Sequence, residues 1–197
     1  GRGHFALSTL VSVTKRKVSA QVDTVQTSPP AAMELHLAFA IPKGKRLDWL
    51  LEKATELGAG SLTPLLCTRS VAGGETLTVN KRQRWEGHCV SAAKQCGLNT
   101  LPEIREPITL DALATSGPGA MLFGDLAGDT IPLAAAVQSA GRTITILVGP
   151  EGGFTEAECA TLREAGATPV RLGPTVLRIE TAAVALLAGC LAAGDAQ

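Results

Sequence analysis

The sequence predicts an α/β domain with a mostly parallel sheet, preceded by a short antiparallel hairpin. Residues 5–25 alternate between apolar and polar side chains with a period of two, which is typical of strands. From residue 35 onward, strand-like and helix-like segments alternate, as they do in α/β domains. The run 144–148 lacks any period-two polarity, as expected of a central parallel strand covered on both faces.

The hairpin is the first predicted element. Residues 5–13 form its first strand, 18–22 return along the second, and the Lys-Arg-Lys segment 15–17 lies at the tip. Thr27-Ser28-Pro29-Pro30 ends the pattern, because two prolines remove two backbone donors and stiffen the chain. The prolines therefore predict a linker.

The linker divides the chain into two predicted domains. Since two strands alone are only marginally stable, we interpret residues 1–28 as the remnant of a small β-domain and residues 31–197 as the α/β domain. The chain opens at Gly1 with neither methionine nor a signal peptide, which we interpret as a start inside a longer protein.

The α/β domain alternates strands with helices that each show an apolar face. In the helix predicted over 47–57, Leu47, Leu50, Leu51 and Ala54 share one face, and Gly58 stops it. The predicted strands are 35–41, 61–66, 120–124, 143–148 and 168–172. The remaining predicted helices are 81–95, 109–116, 131–140, 155–165 and 180–193.

Composition excludes several classes of protein. With 45% apolar and 18% charged residues the chain is not disordered, and its longest apolar run, 182–193, is too short for a membrane span of roughly 20 residues. Net charge is zero, so any nucleic-acid binding needs a local basic patch. The five cysteines show no C-x-x-C spacing and no zinc-ligand pattern, which predicts buried, reduced thiols in a cytoplasmic protein and no metal.

The first informative loop is Gly149-Pro150-Glu151-Gly152-Gly153-Phe154-Thr155, directly after the predicted strand 143–148. Its glycines permit positive φ and close approach of a ligand to the backbone, and Thr155 with Glu158 forms a capping box for the next helix. The loop matches neither the P-loop nor the dinucleotide fingerprint. It is either a ligand loop or a tight strand-to-helix turn that needs glycine for its geometry.

The second loop leaves the next strand as Leu172-Gly173-Pro174 and enters the last helix through Leu177-Arg178-Ile179-Glu180-Thr181-Ala182. Leu177 offers an apolar wall, Arg178 a cation, and Glu180 a first-turn carboxylate. An exposed arginine beside a helix cap explains the same residues. Because parallel strands present their carboxyl ends at one edge of a sheet, we expect the two Gly-Pro loops to form one pocket.

These spaced motifs resemble the SPOUT class of RNA methyltransferases, and most closely the ribosomal small subunit methyltransferase E family. The resemblance covers residue 35 to the C-terminus and includes Lys53-Ala54-Thr55-Glu56-Leu57-Gly58 and Ala92-Ala93-Lys94-Gln95-Cys96-Gly97. It implies a C-terminal trefoil knot, S-adenosylmethionine as cofactor, methylation of a uridine base nitrogen (N3) in 16S ribosomal RNA, and a homodimer. It also implies that the hairpin ends a PUA-like RNA-binding β-barrel.

The resemblance further implies site residues. For the cofactor these are Phe123, Leu147, Gly149, Pro150, Glu151, Gly152, Gly153, Leu172, Gly173, Val176, Leu177, Thr181 and Ala182. Arg178 is the first candidate for stabilising negative charge on the uracil oxygens or for clamping a neighbouring phosphate. Glu151 or Glu180 is the candidate for accepting the N3 proton. Helix stabilisation explains Glu180 equally well, and bonding within its own loop explains Glu151, so the base stays unassigned.

The predicted RNA contacts are cations at turns and helix starts. They are Lys15, Arg16, Lys17, Lys43, Lys45, Arg46, Arg69, Arg82 and Arg84. One residue departs from the family pattern, because Leu98 stands where an arginine usually follows Cys96-Gly97. An RNA-binding module of the same fold without catalysis is therefore the alternative function. A phosphate-binding enzyme is a weaker one, because no lysine lies near the glycine loop.

Overall fold

The computed structural model describes residues 2–70, 76–125 and 128–194. The strands are β1 (His4–Val13), β2 (Val18–Thr27), β3 (Glu34–Ala40), β4 (Ser61–Leu66), β5 (Glu103–Ile104), β6 (Ile108–Thr109), β7 (Ala120–Gly124), β8 (Ile131–Pro132), β9 (Thr143–Val148) and β10 (Thr168–Arg171). The helices are α1 (Arg46–Glu56), α2 (Val79–Cys96), α3 (Leu110–Ser116), α4 (Leu133–Ala140), α5 (Glu156–Glu164) and α6 (Ile179–Gly194).

The large sheet is parallel throughout its described pairings, which confirms the predicted fold class. Its strand order is β5-β4-β3-β9-β7-β10-β8, with β6 paired to the far end of β4. Strand β9 lies in the centre, where Ile146 is in register with Leu37 of β3 and Leu122 of β7. The carboxyl ends of β3, β7, β9 and β10 therefore share one edge of the sheet.

Helices cover both faces of this sheet and make two cores. Along β9, Ile144 and Ile146 pack toward one face with Leu51 of α1 and Leu186 of α6, whereas Leu147 packs toward the other face. The second core includes Leu113 of α3 and Leu162 of α5. Burial on both faces explains why β9 has no polar alternation in the sequence.

The long elements lie where the periodicity predicts them, with shifts of a few residues at their ends. One boundary differs in kind, because the helix predicted over 131–140 begins at Leu133. Ile131–Pro132 instead extends the sheet as β8, parallel to β10. Pro132 then occupies the N-cap of α4, where its missing N–H is not needed.

The hairpin of β1 and β2 projects from the rest of the chain. Its two strands pair antiparallel with two register shifts, and nearly all of its residues are exposed. Gly3 N donates to Asn99 O at 3.0 Å, and Ser28 N donates to Gly3 O at 2.7 Å. These bonds attach the base of the hairpin beside the end of α2.

The cysteines are free, and only part of the prediction about them is correct. Cys89 and Cys190 are buried, and burial raises the pKa of Cys190 to about 12, which keeps that thiol protonated. Cys67 is half-buried, and desolvation likewise raises its pKa to about 12. Cys96 is exposed at the last turn of α2, so the prediction of burial is wrong there.

Over the described ranges, no helix is both long and apolar enough to cross a bilayer. Within the same ranges, no cluster of His, Cys, Asp and Glu side chains is arranged to hold a metal ion.

Candidate functional site

A cavity of about 330 Å³ opens at the carboxyl edge of the sheet. The glycine loop (residues 149–155, after β9) forms one wall, and the second loop (residues 172–178, after β10) forms the other. Leu186 and Ile179 of α6 contribute to the lining. The structure thus brings both Gly-Pro loops around one space.

The glycine loop owes its shape to specific glycines. A Cβ on Gly149 would lie 3.1 Å from the Phe154 ring, and Gly153 adopts the left-handed φ of 70° that favours glycine. Gly153 N closes the turn by donating to Pro150 O at 2.8 Å. The loop is therefore the tight turn that one interpretation predicts, and it is also a cavity wall.

Glu158 ties the glycine loop to α5 and to the loop after β4. Its carboxylate accepts from Thr155 N and from Thr68 N, each at 2.7 Å, while Thr155 Oγ1 accepts from Glu158 N. Desolvation is the largest influence on its pKa and raises it, but the bonds from Thr155 and Thr68 together lower the pKa below its usual value. The ionised form of Glu158 is therefore favoured in the fold.

Arg69 braces the outer side of the glycine loop. Its Nη1 donates to Gly152 O at 2.7 Å and more weakly to Phe154 O at 3.4 Å. Arg69 is predicted to contact RNA, whereas its guanidinium here supports the cavity wall. This bond joins residues far apart in the chain, and local spacing carries no signal for it.

The second loop presents apolar side chains to the cavity. Leu172, Val176 and Leu177 line it and are 42%, 81% and 37% exposed. Apolar groups left this accessible inside a concave site are typical of ligand-binding surfaces. Arg178 follows them, is exposed, and lines neither this cavity nor the hollow described next.

A more open hollow of about 240 Å³ lies at the first turn of α6, lined by Arg46 and Trp49 of α1 and by Glu180 and Thr181 of α6. We call it the α1–α6 hollow. Glu180 is only 7% exposed, and its Oε2 has no hydrogen-bond partner among the described residues. A buried oxygen without a partner costs about 1–3 kcal/mol.

The cavity and the α1–α6 hollow are adjacent. Ile179 and Ala182 line the cavity, whereas Glu180 and Thr181, on the same helical turn, line the hollow. Arg46 Nη1 also lies 3.8 Å from Oε1 of Glu151 in the glycine loop. Both side chains are more than a third exposed, so the pair stabilises the fold little, but it places Arg46 between the two spaces.

Ten of the predicted cofactor residues line the cavity: Gly149, Pro150, Glu151, Gly152, Gly153, Leu172, Gly173, Val176, Leu177 and Ala182. Thr181 faces the hollow instead. Phe123 and Leu147 are fully buried in the core, where the Phe123 ring packs edge-on against Phe154 with 6.1 Å between centroids. They therefore support the cavity without lining it.

The sequence analysis does not single out Gly124 and Asp125, which also line the cavity. They follow β7, whose carboxyl end lies at the same edge as β9 and β10, so the rule that joins the two Gly-Pro loops also applies to them. Asp125 pairs with Arg163 of α5 at 3.3 Å.

Apart from Arg46 and Arg69, whose contacts are given above, the predicted RNA-binding cations fall into two groups. Lys15, Arg16, Lys17, Lys43 and Lys45 are exposed at turns. Arg84 is instead paired with Asp48 at 2.6 Å, and Arg82 with Glu106 at 2.5 Å. Because a carboxylate neutralises each of these two arginines, they attract a phosphate less strongly than the exposed cations do.

Leu98, the departure from the family pattern, follows the α2 cap. Its N–H donates to Ala93 O, and it lines neither the cavity nor the α1–α6 hollow. The next residue, Asn99, bonds Ser28 at the base of the hairpin.

The chain is similar in sequence to known RNA methyltransferases. Residues 29–190 match the family model of the RNA methyltransferase domain. The ribosomal RNA small subunit methyltransferase E of Bacillus subtilis is 33% identical over 190 residues, covering 91% of this chain and 74% of that protein. The enzyme of the same name from Mycobacterium bovis is 31% identical over 195 residues, covering 95% and 74%.

Solved structures agree with these sequence relatives. A ribosomal RNA small subunit methyltransferase E from Neisseria gonorrhoeae, bound to S-adenosyl methionine, superposes with a TM-score of 0.82 at 29% identity, covering 95% of this chain and 78% of that one. A Legionella pneumophila protein in complex with bound cofactor SAM has the same TM-score at 30% identity, covering 98% and 80%. From the domain match and the relatives together, the chain belongs to the ribosomal RNA small subunit methyltransferase E family.

Proposed function

We propose that this chain binds S-adenosylmethionine in the cavity and transfers its methyl group to N3 of a uridine in 16S ribosomal RNA. The observation that carries the proposal is the meeting of the glycine loop and the second loop around one cavity. Family membership supports the reaction and the small-subunit RNA substrate. The N3 position rests on the resemblance noted in the sequence.

The residues around the cavity fit an adenosyl group. Leu172, Val176 and Leu177 offer apolar surface to the two faces of an adenine ring, and the backbone of Gly149 and Gly152 offers N–H and C=O groups to its edge. When bound, the cofactor supplies an activated methyl group whose S–C bond breaks as the new N–C bond forms.

The residues of this chain must accept the N3 proton of uracil and stabilise negative charge on the RNA. The uracil nitrogen loses its proton, and the buried Oε2 of Glu180 is better suited to accept it than Glu151, which is exposed and faces Arg46. Arg178 lines neither the cavity nor the hollow, so we assign its exposed guanidinium to a phosphate next to the target uridine. Positioning donor and acceptor supplies most of the remaining acceleration.

The proposal also assigns RNA contact to the exposed cations, at the hairpin tip and before α1. Residues 1–28 would then be part of a PUA-like RNA-binding domain, and residues 31–197 the catalytic domain. The isolated, two-sided exposure of the hairpin supports the first assignment, because such a ribbon is stable only with further strands.

The proposal further includes a C-terminal trefoil knot, a homodimer and a cytoplasmic location. The knot rests on the resemblance noted in the sequence, with β9 inserted between β3 and β7 in the sheet. Five free cysteines support a reducing compartment. Leu186 and Leu187 of α6 are buried in this chain's own core, so a dimer would use other residues.

The test is methyl transfer from labelled cofactor to small-subunit RNA by the purified full chain. Methylation at N3 blocks the base-pairing edge of uracil, so reverse transcription of the product should stop at one uridine. If the chain binds both cofactor and RNA but incorporates no methyl group, the alternative of a non-catalytic RNA-binding module is correct.

A further inference from the structure

The α1–α6 hollow combines an exposed indole ring with an unpartnered carboxylate. Trp49 is 42% exposed, whereas the chain's other tryptophan, Trp85, is 2% exposed and packs in the core. Arg46 lies one turn before Trp49 on α1, so both side chains project from the same face of that helix. An accessible aromatic ring beside a cation is a common platform for a nucleic-acid base.

Glu180 adds a hydrogen-bond acceptor to this platform. A first-turn carboxylate that only complements the helix dipole does so from the surface, where water hydrates it. Glu180 is instead more than nine-tenths buried, lines the hollow, and leaves Oε2 without a partner among the described residues. A donor from outside the chain would give this oxygen a hydrogen bond.

We infer that the α1–α6 hollow receives the acceptor base, a single uracil turned out of the RNA strand. Trp49 stacks on the face of the base, Oε2 of Glu180 accepts the N3–H hydrogen bond, and Arg46 lies near the attached phosphate. Arg46 lines the hollow and pairs with Glu151 of the cavity wall at 3.8 Å, so a base in the hollow would lie next to the cofactor site. This inference rests on the proposed function, and it adds the substrate's site.

Because Glu180 accepts hydrogen bonds, the hollow should prefer one pyrimidine base over the other. Uracil carries a donor at N3, which a carboxylate can accept, whereas cytosine carries an acceptor there, which a carboxylate repels. A site that is built to bond one edge rejects the base lacking the donor. Glu180 would therefore determine specificity for uridine over cytidine as well as accept the proton.

Tryptophan fluorescence tests the inference directly. In a Trp85→Phe background the emission reports Trp49 alone, and the probes are short oligouridylate and oligocytidylate strands added with S-adenosylhomocysteine. We expect oligouridylate to quench Trp49 at concentrations roughly tenfold lower than oligocytidylate. Glu180→Gln should bring the two midpoints close together, because an amide both donates and accepts. The matched control Glu156→Gln, in the exposed first turn of α5, should keep the preference.

Several results would overturn the inference. One is unchanged Trp49 emission when the anisotropy of labelled RNA shows saturated binding. Others are equal quenching by both strands in the unsubstituted protein, or emission that changes with protein concentration but not with RNA, which would mean that another subunit covers Trp49.

Methyl transfer measured on the same samples separates this inference from the proposed function. Uridine-selective quenching without methylation would refute the proposed function only. Methylation without quenching would refute the assignment of the hollow only.

Discussion

Glu158 shows how much one carboxylate does for this site. It caps α5 through Thr155 and holds the loop after β4 through Thr68, so the glycine loop is fastened on two sides. Because its folded pKa is lowered, its contribution to stability is present above the unfolded pKa and is lost as pH falls through the folded pKa.

Glu158→Gln should lower the free energy of unfolding at neutral pH by about 1–2 kcal/mol, since an amide cannot accept both bonds. Urea unfolding measures the loss, and the difference from wild type should shrink as pH falls below the ordinary carboxyl value of 4.5. Glu164→Gln, exposed at the end of the same helix, is the control. An equal loss in both variants would contradict the account.

Arg178→Ala should abolish methyl transfer while largely preserving affinity for S-adenosylhomocysteine. Arg178 is exposed just before α6 and lines no part of the cavity, so its removal leaves the proposed cofactor walls intact. In Arg105→Ala the lost guanidinium pairs with Glu103 of the outermost strand β5, away from the cavity. This variant should leave turnover unchanged. Near-normal turnover of Arg178→Ala would show that methyl transfer does not depend on Arg178.

At these positions the sequence predicts local contacts and misses distant ones. Spacing alone identifies the capping box of Thr155 and Glu158. The bonds from Thr68 to Glu158 and from Arg69 to Gly152 join segments more than eighty residues apart, so no local pattern contains them. The orphaned Oε2 of Glu180 likewise depends on what packs around it, which a first-turn carboxylate does not reveal.

Strands and helices fit together here through a few close approaches. Gly119, before β7, has a φ of 68°, and a Cβ on it would lie 2.0 Å from the carbonyl oxygen of Thr143 at the start of β9. Backbone atoms cannot move aside as a side chain can. The pairing of β7 with β9 therefore requires glycine at this position.

Gly119→Ala should destabilise the fold by at least about 2 kcal/mol, combining left-handed strain with the backbone clash. Gly97→Ala is the control, because Gly97 has a left-handed φ of 76° but nothing lies within 4 Å of a Cβ there. It should cost only about 1 kcal/mol. Thermal or urea unfolding compares the two variants. Similar losses of unfolding free energy would mean that the close approach at Gly119 does not affect stability.

Periodicity predicts the long elements well because each exposes one polar face or none. It cannot predict β5, β6 and β8, which are two residues each and too short to show any period. For this reason the pattern predicts a helix at Ile131 and Pro132, although proline favours a helix start over its interior.

The order of the strands is a property of the complete chain. Nothing in the local patterns places β9 between β3 and β7, yet that order determines which loops meet. The rule that parallel strands bind ligands at their carboxyl edge was enough to bring the two Gly-Pro loops together. It could not show the α1–α6 hollow, which combines the start of α1 with the start of α6.

Charge distribution is also a property of the whole molecule. Because the net charge is zero, the chain must bind RNA through local groups of cations. Replacing Lys15, Arg16 and Lys17 with alanine should weaken RNA binding and reduce the slope of log affinity against log salt by about 2–3. Arg84→Ala should change that slope little, since Asp48 already neutralises Arg84. Binding titrations at several salt concentrations make the measurement. An unchanged slope in the triple variant would remove the hairpin tip from the RNA interface.

The claim on which the rest depends is that the two Gly-Pro loops enclose the methyl donor, and calorimetry with S-adenosylhomocysteine tests it most directly. We predict binding by the wild-type chain and a loss of roughly tenfold or more in affinity for Gly152→Val. The valine would press on Arg69, 3.2 Å from a Cβ at this position, and displace the cavity wall that Arg69 holds. Gly87→Ala, in open space on α2, should bind like wild type. No binding by the wild type, or undiminished affinity in Gly152→Val, would contradict the claim.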